Sequence, residues 1–395
     1  MKEIHLASGR EKALLRQHPW VFSGGIARET AEISDGERVK VLDKKGQILG
    51  IGHYQNGSIR VRILQFGAAE ELPPDFWHQK IQRAKQLREV LQLIRVDNTA
   101  YRLIHGAGDG LPGLIIDIYG AVAVVQCHSI GMFRELAAIT DALRVTYGPA
   151  LALIYNRSES TLSNNFRSEV PLDGPLWGQT EQASVSENGH RFFIDFANGQ
   201  KTGFFLDQRD NRSLLARYAK DKNVLNTFCY TGGFSIYALR AGARKVTSVD
   251  LSAPAMQLTE QNIALNDQTL LTKHESITSD VMEYFKTADM QRHDIVVVDP
   301  PAFAKSQRAR HRAVQAYKRL NAAAIKRLRP GGLLFTFSCS RVVDRALFTN
   351  TIVAAGLESG RSASILHYLS QGGDHPISLY HPEGHYLKGL VLRIE

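Results

Sequence analysis

From Asn223 to Ser338, five short apolar runs, NVLNTF, KVTSVD, ESITSD, DIVVVDP and LLFTFS, alternate with turns and helical stretches. This repetition leaves few folds open, because parallel strands need crossover connections and the crossover helices cover both faces of the sheet. The pattern predicts an open, doubly wound, mainly parallel α/β sheet. Ligands of such sheets sit beyond the carboxyl ends of the strands, so the residues closing each run are the first candidates for function.

The preceding sequence reads differently. Residues 1–70 carry the β-like runs RVKVLD, ILGIGHY and IRVRILQF, separated by SDG, KKG and QNG turns, which predicts a small β-rich domain. Residues 75–95 have apolar positions at helical spacing, with Asp75 placed to cap the start. Two strand-like runs around Tyr119 and Gly120, a helix over 131–146 and a strand at ALIYNR then suggest a compact α+β domain over 71–180. The polar stretch NRSESTLSNNFRSE, residues 156–169, reads as a loop or linker. The α/β sheet falls within the third segment, 181–395.

Composition narrows the class further. At 395 residues and 44% hydrophobic content the chain has material for two or three cores. No apolar run approaches the roughly 18–20 residues that span a bilayer, and MKEIHLASGREK is not a signal peptide, so no membrane partner is expected. Three cysteines, Cys127, Cys229 and Cys339, supply neither a disulfide framework nor a paired zinc site, which fits a reducing cytoplasm. His381 and His385 in HPEGHYLKG have no cysteine partners, and no metal is expected.

The net charge is +9, and nine basic residues lie between Pro301 and Pro330 with no acid among them. They include Lys305, Arg308, Arg310 and Arg312. A solvated helix face usually mixes signs, so this run, with Arg341 further on, reads as a phosphate-contacting surface. A merely solvated face is the alternative.

In VLNTFCYTGGFSIYALRAGARKVTSVD a buried strand leads into the turn Cys229-Tyr230-Thr231-Gly232-Gly233, then a helix, then a second strand ending in Asp250. The glycines would let a ligand approach the backbone, and a carboxylate about 20 residues on can bind a ribose diol. A dinucleotide fingerprint is absent, which disfavours NAD and favours S-adenosylmethionine, a nucleoside without a pyrophosphate. Asp280 closes the third run and either accepts from the adenine amino group or caps the helix beginning at VMEYF.

DIVVVDPPAF ends in Asp299-Pro300-Pro301, where the prolines stop the strand and stiffen the loop. The run LLFTFS delivers Cys339. If the two strands are neighbours they lie roughly 4.8 Å apart, and Asp299, Cys339 and a methyl donor share one crevice. Cytosine C5 is a weak nucleophile until a thiolate adds at C6, which gives this set a definite use, with Asp299 against the N3/N4 edge. Arg341 and the basic run would favour the thiolate. The alternative for Cys339 is a small buried residue at a strand end. Cys127 reads as core and Cys229 as lining.

Several stretches together resemble one family: GREKALLRQHPWVFSGGI (9–26), YRLIHGAGDGLPGLIIDIYG (101–120), KTGFFLDQRDNR (201–212), NTFCYTGGFS (226–235), VVDPPAF (297–303), FTFSCS (335–340) and HPEGHYLKG (381–389). They are similar to the bacterial 23S ribosomal RNA large-subunit cytosine-5 methyltransferases that carry an N-terminal PUA domain. The resemblance implies a PUA RNA-binding domain over 1–70, a small central α+β domain over 71–180 and a Rossmann-like class I methyltransferase domain over 181–395. It implies S-adenosylmethionine as cofactor, 23S ribosomal RNA as partner, and Cys339 and Asp299 as catalytic. It sets Gln208, Arg209 and Asp210 over the cofactor, with Asn226, Phe228, Tyr230, Thr231, Gly232, Gly233, Asp250, Asp280 and Asp299 completing that site. Helix capping by Asp207 or Asp210 is the alternative for the 201–212 stretch. Many RNA cytosine-5 methyltransferases carry a second cysteine in the Asp-Pro-Pro-like motif, and this chain has none there. The base that removes the C5 proton is therefore unassigned. Guanine N7 transfer on a related domain needs no thiol, so Cys339 discriminates between the two chemistries. A homodimer stays open.

Overall fold

In the run RVKVL, Val39 and Val41 are buried while Arg38 and Lys40 are not, the period-two pattern of a strand with one face on a core. The computed structural model describes residues 1–162, 173–180, 183–304 and 306–395. The chain folds as two units: residues 1–188 with 194–206 and 373–384, and residues 189–193 with 207–372 and 385–395. Half of the stretch read as a linker, residues 163–169, lies outside the described residues, as does Lys305.

The first unit opens with a six-stranded sheet. Its strands are β1 (Lys2–Leu6), β2 (Trp20–Phe22), β3 (Ile26–Glu29), β4 (Arg38–Leu42), β5 (Ile48–Tyr54) and β6 (Ile59–Phe66), in the order β2-β6-β5-β4-β1-β3. Ile4, Val39, Val41, Val61 and Ile63 form its core. A second sheet follows, built from β7 (Ala100–His105), β8 (Leu114–Tyr119), β9 (Val122–Cys127), β10 (Leu153–Asn156) and β11 (Gly174–Gly178), in the order β11-β10-β9-β8-β7. Its core is separate and includes Leu103, Ile116, Val125 and Ile139.

Two local expectations are corrected. Asp75 precedes the helix Phe76–Val90 but makes no side-chain cap, because its carboxylate accepts from Gln79 Nε2 at 2.9 Å instead. The helix expected over 131–146 is two helices, Ile130–Arg134 and Leu136–Tyr147, meeting at Glu135. Arg38 grips the Glu135 carboxylate through Nε and Nη2, both at 2.7 Å, which holds that junction on the first sheet.

The chain continues through β12 (Ala183–Glu187) and β13 (His190–Ile194). The second unit then builds a seven-stranded sheet from β14 (Asn223–Thr227), β15 (Lys245–Asp250), β16 (His274–Thr278), β17 (Ile295–Val298), β18 (Leu333–Ser338), β19 (Ala363–Ser370) and β20 (Lys388–Ile394). The order is β16-β15-β14-β17-β18-β20-β19, parallel through β18 and antiparallel at β20. The five expected strands are present. Ile295–Val298 is buried at every position, as a central strand covered on both faces requires. The sequence reading named neither β19 nor β20, yet β20 sits between β18 and β19 and sets Lys388 opposite Ser338. No helix among the described residues is long and apolar enough to cross a membrane.

Candidate active site

Strand order reverses between β14 and β17, which opens a crevice at their carboxyl ends. Register aligns Thr227 with Val298 and Val298 with Thr336, so the turn after β14, the Asp-Pro-Pro loop and Cys339 leave adjacent strands on one edge.

The turn is strained and firmly held. Phe228 and Tyr230 have positive φ, 55° and 49°, which costs a residue with a Cβ. Tyr230 N donates to Asp250 Oδ2 at 2.9 Å, Thr259 Oγ1 donates to Tyr230 O at 2.9 Å, and Asn262 Nδ2 donates to Thr231 O at 3.2 Å. Gly232 has φ +80°, and a Cβ there would lie 2.6 Å from Thr259 Cγ2; one on Gly233 would lie 3.1 Å from Arg212 Cδ. The close approach these glycines permit is thus that of Thr259 and Arg212.

Asp250 receives Tyr230 N on Oδ2 and Ser252 N on Oδ1, the latter at 2.9 Å. Two amides leave further lone pairs on this half-buried carboxylate, which suits a ribose diol. Asp280 is exposed and caps the helix Val281–Thr287 through Glu283 N at 3.0 Å. Asn226 is buried within a polar chain. Its Nδ2 donates to Ser235 Oγ at 2.9 Å, Ser235 Oγ meets Ser248 Oγ at 2.7 Å, and Ser248 Oγ meets His274 Nε2 at 2.7 Å. Burial pushes His274 down to about 4, so it is neutral at physiological pH.

In the 201–212 stretch, Gln208 heads the helix Arg209–Ala219 without a side-chain cap. Its Nε2 donates to Asp299 Oδ2 at 3.0 Å, and its Oε1 accepts from Asn211 Nδ2 at 2.6 Å. Asn211 thereby fixes which end of the amide faces Asp299. Arg209 is buried and Asp210 exposed. Asp207 Oδ2 accepts from Tyr386 Oη at 2.6 Å.

FTFSCS resolves into anchors around one presented thiol. Ser338 and Ser340 are fully buried, and Ser340 Oγ bonds Tyr317 Oη at 3.0 Å and Ala304 N at 3.4 Å. Cys339 between them is only half-buried, with Sγ 4.0 Å from Pro300 O. The other two cysteines are enclosed. Burial pushes the Cys127 thiol up to about 12 and raises Cys229, whose Sγ lies 3.4 Å from Met256 Sδ, well above the ordinary thiol value.

The basic run is less bare than its sequence suggested. Acids from other elements reach it: Lys318 pairs with Glu358 at 2.8 Å, Arg329 with Asp294 at 2.7 Å and Arg310 with Asp344 at 3.9 Å. Arg327 donates to the carbonyls of Phe285 and Ala288. Arg308, Arg312 and Arg341 are exposed and, among the described residues, paired with no carboxylate. His385 lies 3.3 Å from Arg345 Nη2. In the first unit His381 gathers with His18 and Glu383, their candidate ligand atoms within 4.8 Å. His18 Nδ1 lies 3.3 Å from both Trp20 N and Trp20 O, and its Nε2 lies 3.6 Å from Glu383 Oε1.

One residue of the crevice escaped the sequence reading. Lys388 is fully buried, and its Nζ donates to Ser340 O at 2.6 Å and Tyr386 O at 2.8 Å. Its only sequence signal was membership in HPEGHYLKG.

Strand order, strained turn and crevice define a nucleoside-cofactor methyltransferase of the doubly wound α/β class. The family model for S-adenosylmethionine-dependent methyltransferases matches residues 101–390, and that for PUA-like domains matches 4–66. "Ribosomal RNA large subunit methyltransferase I" of Aeromonas hydrophila is 42% identical over 99% of this chain and 98% of its own length. The protein of the same name from Escherichia coli O1:K1 is 40% identical over 98% of each chain. A solved candidate SAM-dependent methyltransferase from Streptococcus mutans superposes with TM-score 0.83 at 25% identity, covering 100% of both chains. The chain belongs to the S-adenosylmethionine-dependent methyltransferase family, among the relatives named ribosomal RNA large subunit methyltransferase I. It is an enzyme with S-adenosylmethionine as its cofactor.

Proposed function

We propose that the enzyme methylates C5 of a cytidine in 23S ribosomal RNA, cytosine 1962 being the expected target, through a covalent adduct with Cys339. The observation that carries this reading is the half-buried Cys339 thiol beside the Asp299-Pro300-Pro301 loop, with both other cysteines enclosed. Sγ bonds C6, the electrons of the 5,6 double bond move to C5, and C5 becomes nucleophilic. Asp299, oriented by Gln208, accepts from the exocyclic N4 and holds the ring. After transfer, loss of the C5 proton and cleavage of the S–C6 bond restore the double bond and free the thiol. S-adenosylmethionine supplies an electrophilic methyl group on a sulfonium, and the turn, Asp250 and Asp280 are the residues that would hold it.

Three divisions of labour accompany this reading: RNA binding by residues 1–70, a central spacer over 71–180, and chemistry within 181–395. Two separate cores in the first unit support the boundary near 70. Arg308, Arg312 and Arg341 contact phosphates, so each removal should flatten the salt dependence of RNA binding by about one unit of slope. Because C5 and C6 must both be reached, the base flips out of its stack. A ribosomal RNA substrate places the enzyme in the cytoplasm. Self-association has an edge to use: β19 ends the sheet with Ile365, Leu366 and Tyr368 exposed, so light scattering should give twice the monomer mass.

The decisive test is Cys339→Ala. It should abolish methylation of 23S RNA while cofactor affinity stays within about twofold, and nucleoside mass spectrometry of the wild-type product should show 5-methylcytidine. Parental turnover by the alanine variant ends the covalent reading.

A further inference from the structure

We infer that Lys388 is a positioning residue for the chemistry at Cys339, its sealed ammonium holding the neighbouring thiol toward the thiolate form. The inference rests on the covalent reading above, in which Cys339 must attack as thiolate.

The geometry is unusual for a lysine. Its side chain is 1% exposed, and a cation taken out of water is costly unless a carboxylate compensates it. Among the described residues no carboxylate is in salt-bridge contact with it, and both hydrogen bonds run to backbone carbonyls. One of those carbonyls belongs to Ser340, the residue after Cys339; the other belongs to Tyr386. Register explains the placement, since β20 runs antiparallel to β18 and sets Lys388 opposite Ser338. The lysine is thereby fixed beside the strand end that delivers the thiol.

Every charged group facing this corner bears on the outcome. Burial pushes Lys388 down to about 8, attraction to Cys339 and Asp344 works the other way, and Arg345 repels it. Attraction is mutual, so a group that favours the ammonium through Cys339 is itself a thiolate whose formation the ammonium favours. Asp344 opposes the thiolate, as does Asp299 on the loop whose Pro300 O lies 4.0 Å from Sγ. Arg345 favours it, but its guanidinium is engaged with Leu369 O at 3.2 Å and the His385 ring. His385 is pushed down by burial and by the two cations beside it, which keeps it neutral. Tyr317, raised by burial, stays neutral. Arg341, which the sequence suggested for this task, is exposed to water and salt. Lys388 is the buried cation tied to the thiol's own strand end, below about pH 8.

Because its Nζ is sealed from solvent and spent on carbonyls, Lys388 acts through Cys339 rather than on RNA. This assignment leaves the acceptor of the C5 proton elsewhere.

The test is the pH profile of Cys339 alkylation by iodoacetamide, followed by mass spectrometry of the Cys339 peptide in the full-length enzyme. In the wild type the midpoint should fall below that of an ordinary cysteine, about 8.5. Lys388→Gln keeps amide donors for the two carbonyls and removes the charge. It should raise the midpoint by about one pH unit and slow alkylation at pH 7 about tenfold, whereas Lys388→Arg should stay near the wild type. A Gln profile superimposing on the wild type, or a wild-type midpoint at or above 8.5, overturns the inference; the second measurement needs no variant to fold. Alkylation reads the resting thiol, so its failure leaves the covalent reading standing. An active Cys339→Ala enzyme would instead overturn that reading, whatever the alkylation profile shows.

Discussion

Arg88 and Lys388 are both cations withdrawn from water, 0% and 1% exposed, and the protein treats them in opposite ways. Arg88, in the first unit, grips Asp109 with Nη1 at 2.5 Å and Nη2 at 2.9 Å, and donates further to Arg102 O and Asp374 O. Its neighbour Arg102 pairs with buried Asp117 through two bonds of 2.8 Å. Lys388, in the second unit, has carbonyls and a thiol. Where charge serves only the fold, each cation meets its anion; where it serves chemistry, the compensation is left incomplete and the unspent field falls on a reactive group.

The largest effect should come from breaking the paired case. Arg88→Met removes both guanidinium bonds from the interior Asp109 carboxylate, leaving an amide from His105 at 2.6 Å and the attraction of Lys80, and should cost about 3–5 kcal/mol in chemical denaturation. A loss under about 1 kcal/mol would show that the pair is not the structural element argued here.

Lys388→Met sharpens the contrast through pH. The folded-state value for Lys388 is lowered to about 8 from 10.5, so between those values the unfolded chain binds more protons than the native one. Wild-type stability should therefore rise with pH across that window relative to the methionine variant, by a span on the order of 3 kcal/mol at most. Below about pH 8 the difference should be flat. Parallel stability curves from pH 7 to 10 would mean that Lys388 is no more strained than a surface lysine.

The two regions also differ in how legible they were. The sheet was readable because DIVVVDP and its fellows are continuous apolar runs, and such runs between helices can only be central parallel strands. Cys339, Asp299 and the turn were readable because all of them close such runs. Lys388 was not, because β20 pairs with β18 across 48 residues of chain separating Lys388 from Ser340, and register is a tertiary fact. The acids that partly pair the basic run were hidden for the same reason: Glu358, Asp294 and Asp344 come from other elements. The cap expected at Asp75 failed to a competing local partner, Gln79.

The smallest effect concerns Asp280, where a fold role and a ligand role overlap in one side chain. Its Oδ1 already caps a helix, and cap loss in Asp280→Ala should cost about 1 kcal/mol. Serine is also a good cap but its hydroxyl reaches less far, so Asp280→Ser should recover the stability. If the carboxylate also accepts from the adenine amino group, cofactor affinity in calorimetry should remain about fivefold weaker in both variants, the worth of one exposed hydrogen bond. Recovery of stability and affinity together would reduce Asp280 to its cap. It would then join Arg88 among the residues whose charge serves the fold, leaving Asp250 as the carboxylate that meets the nucleoside.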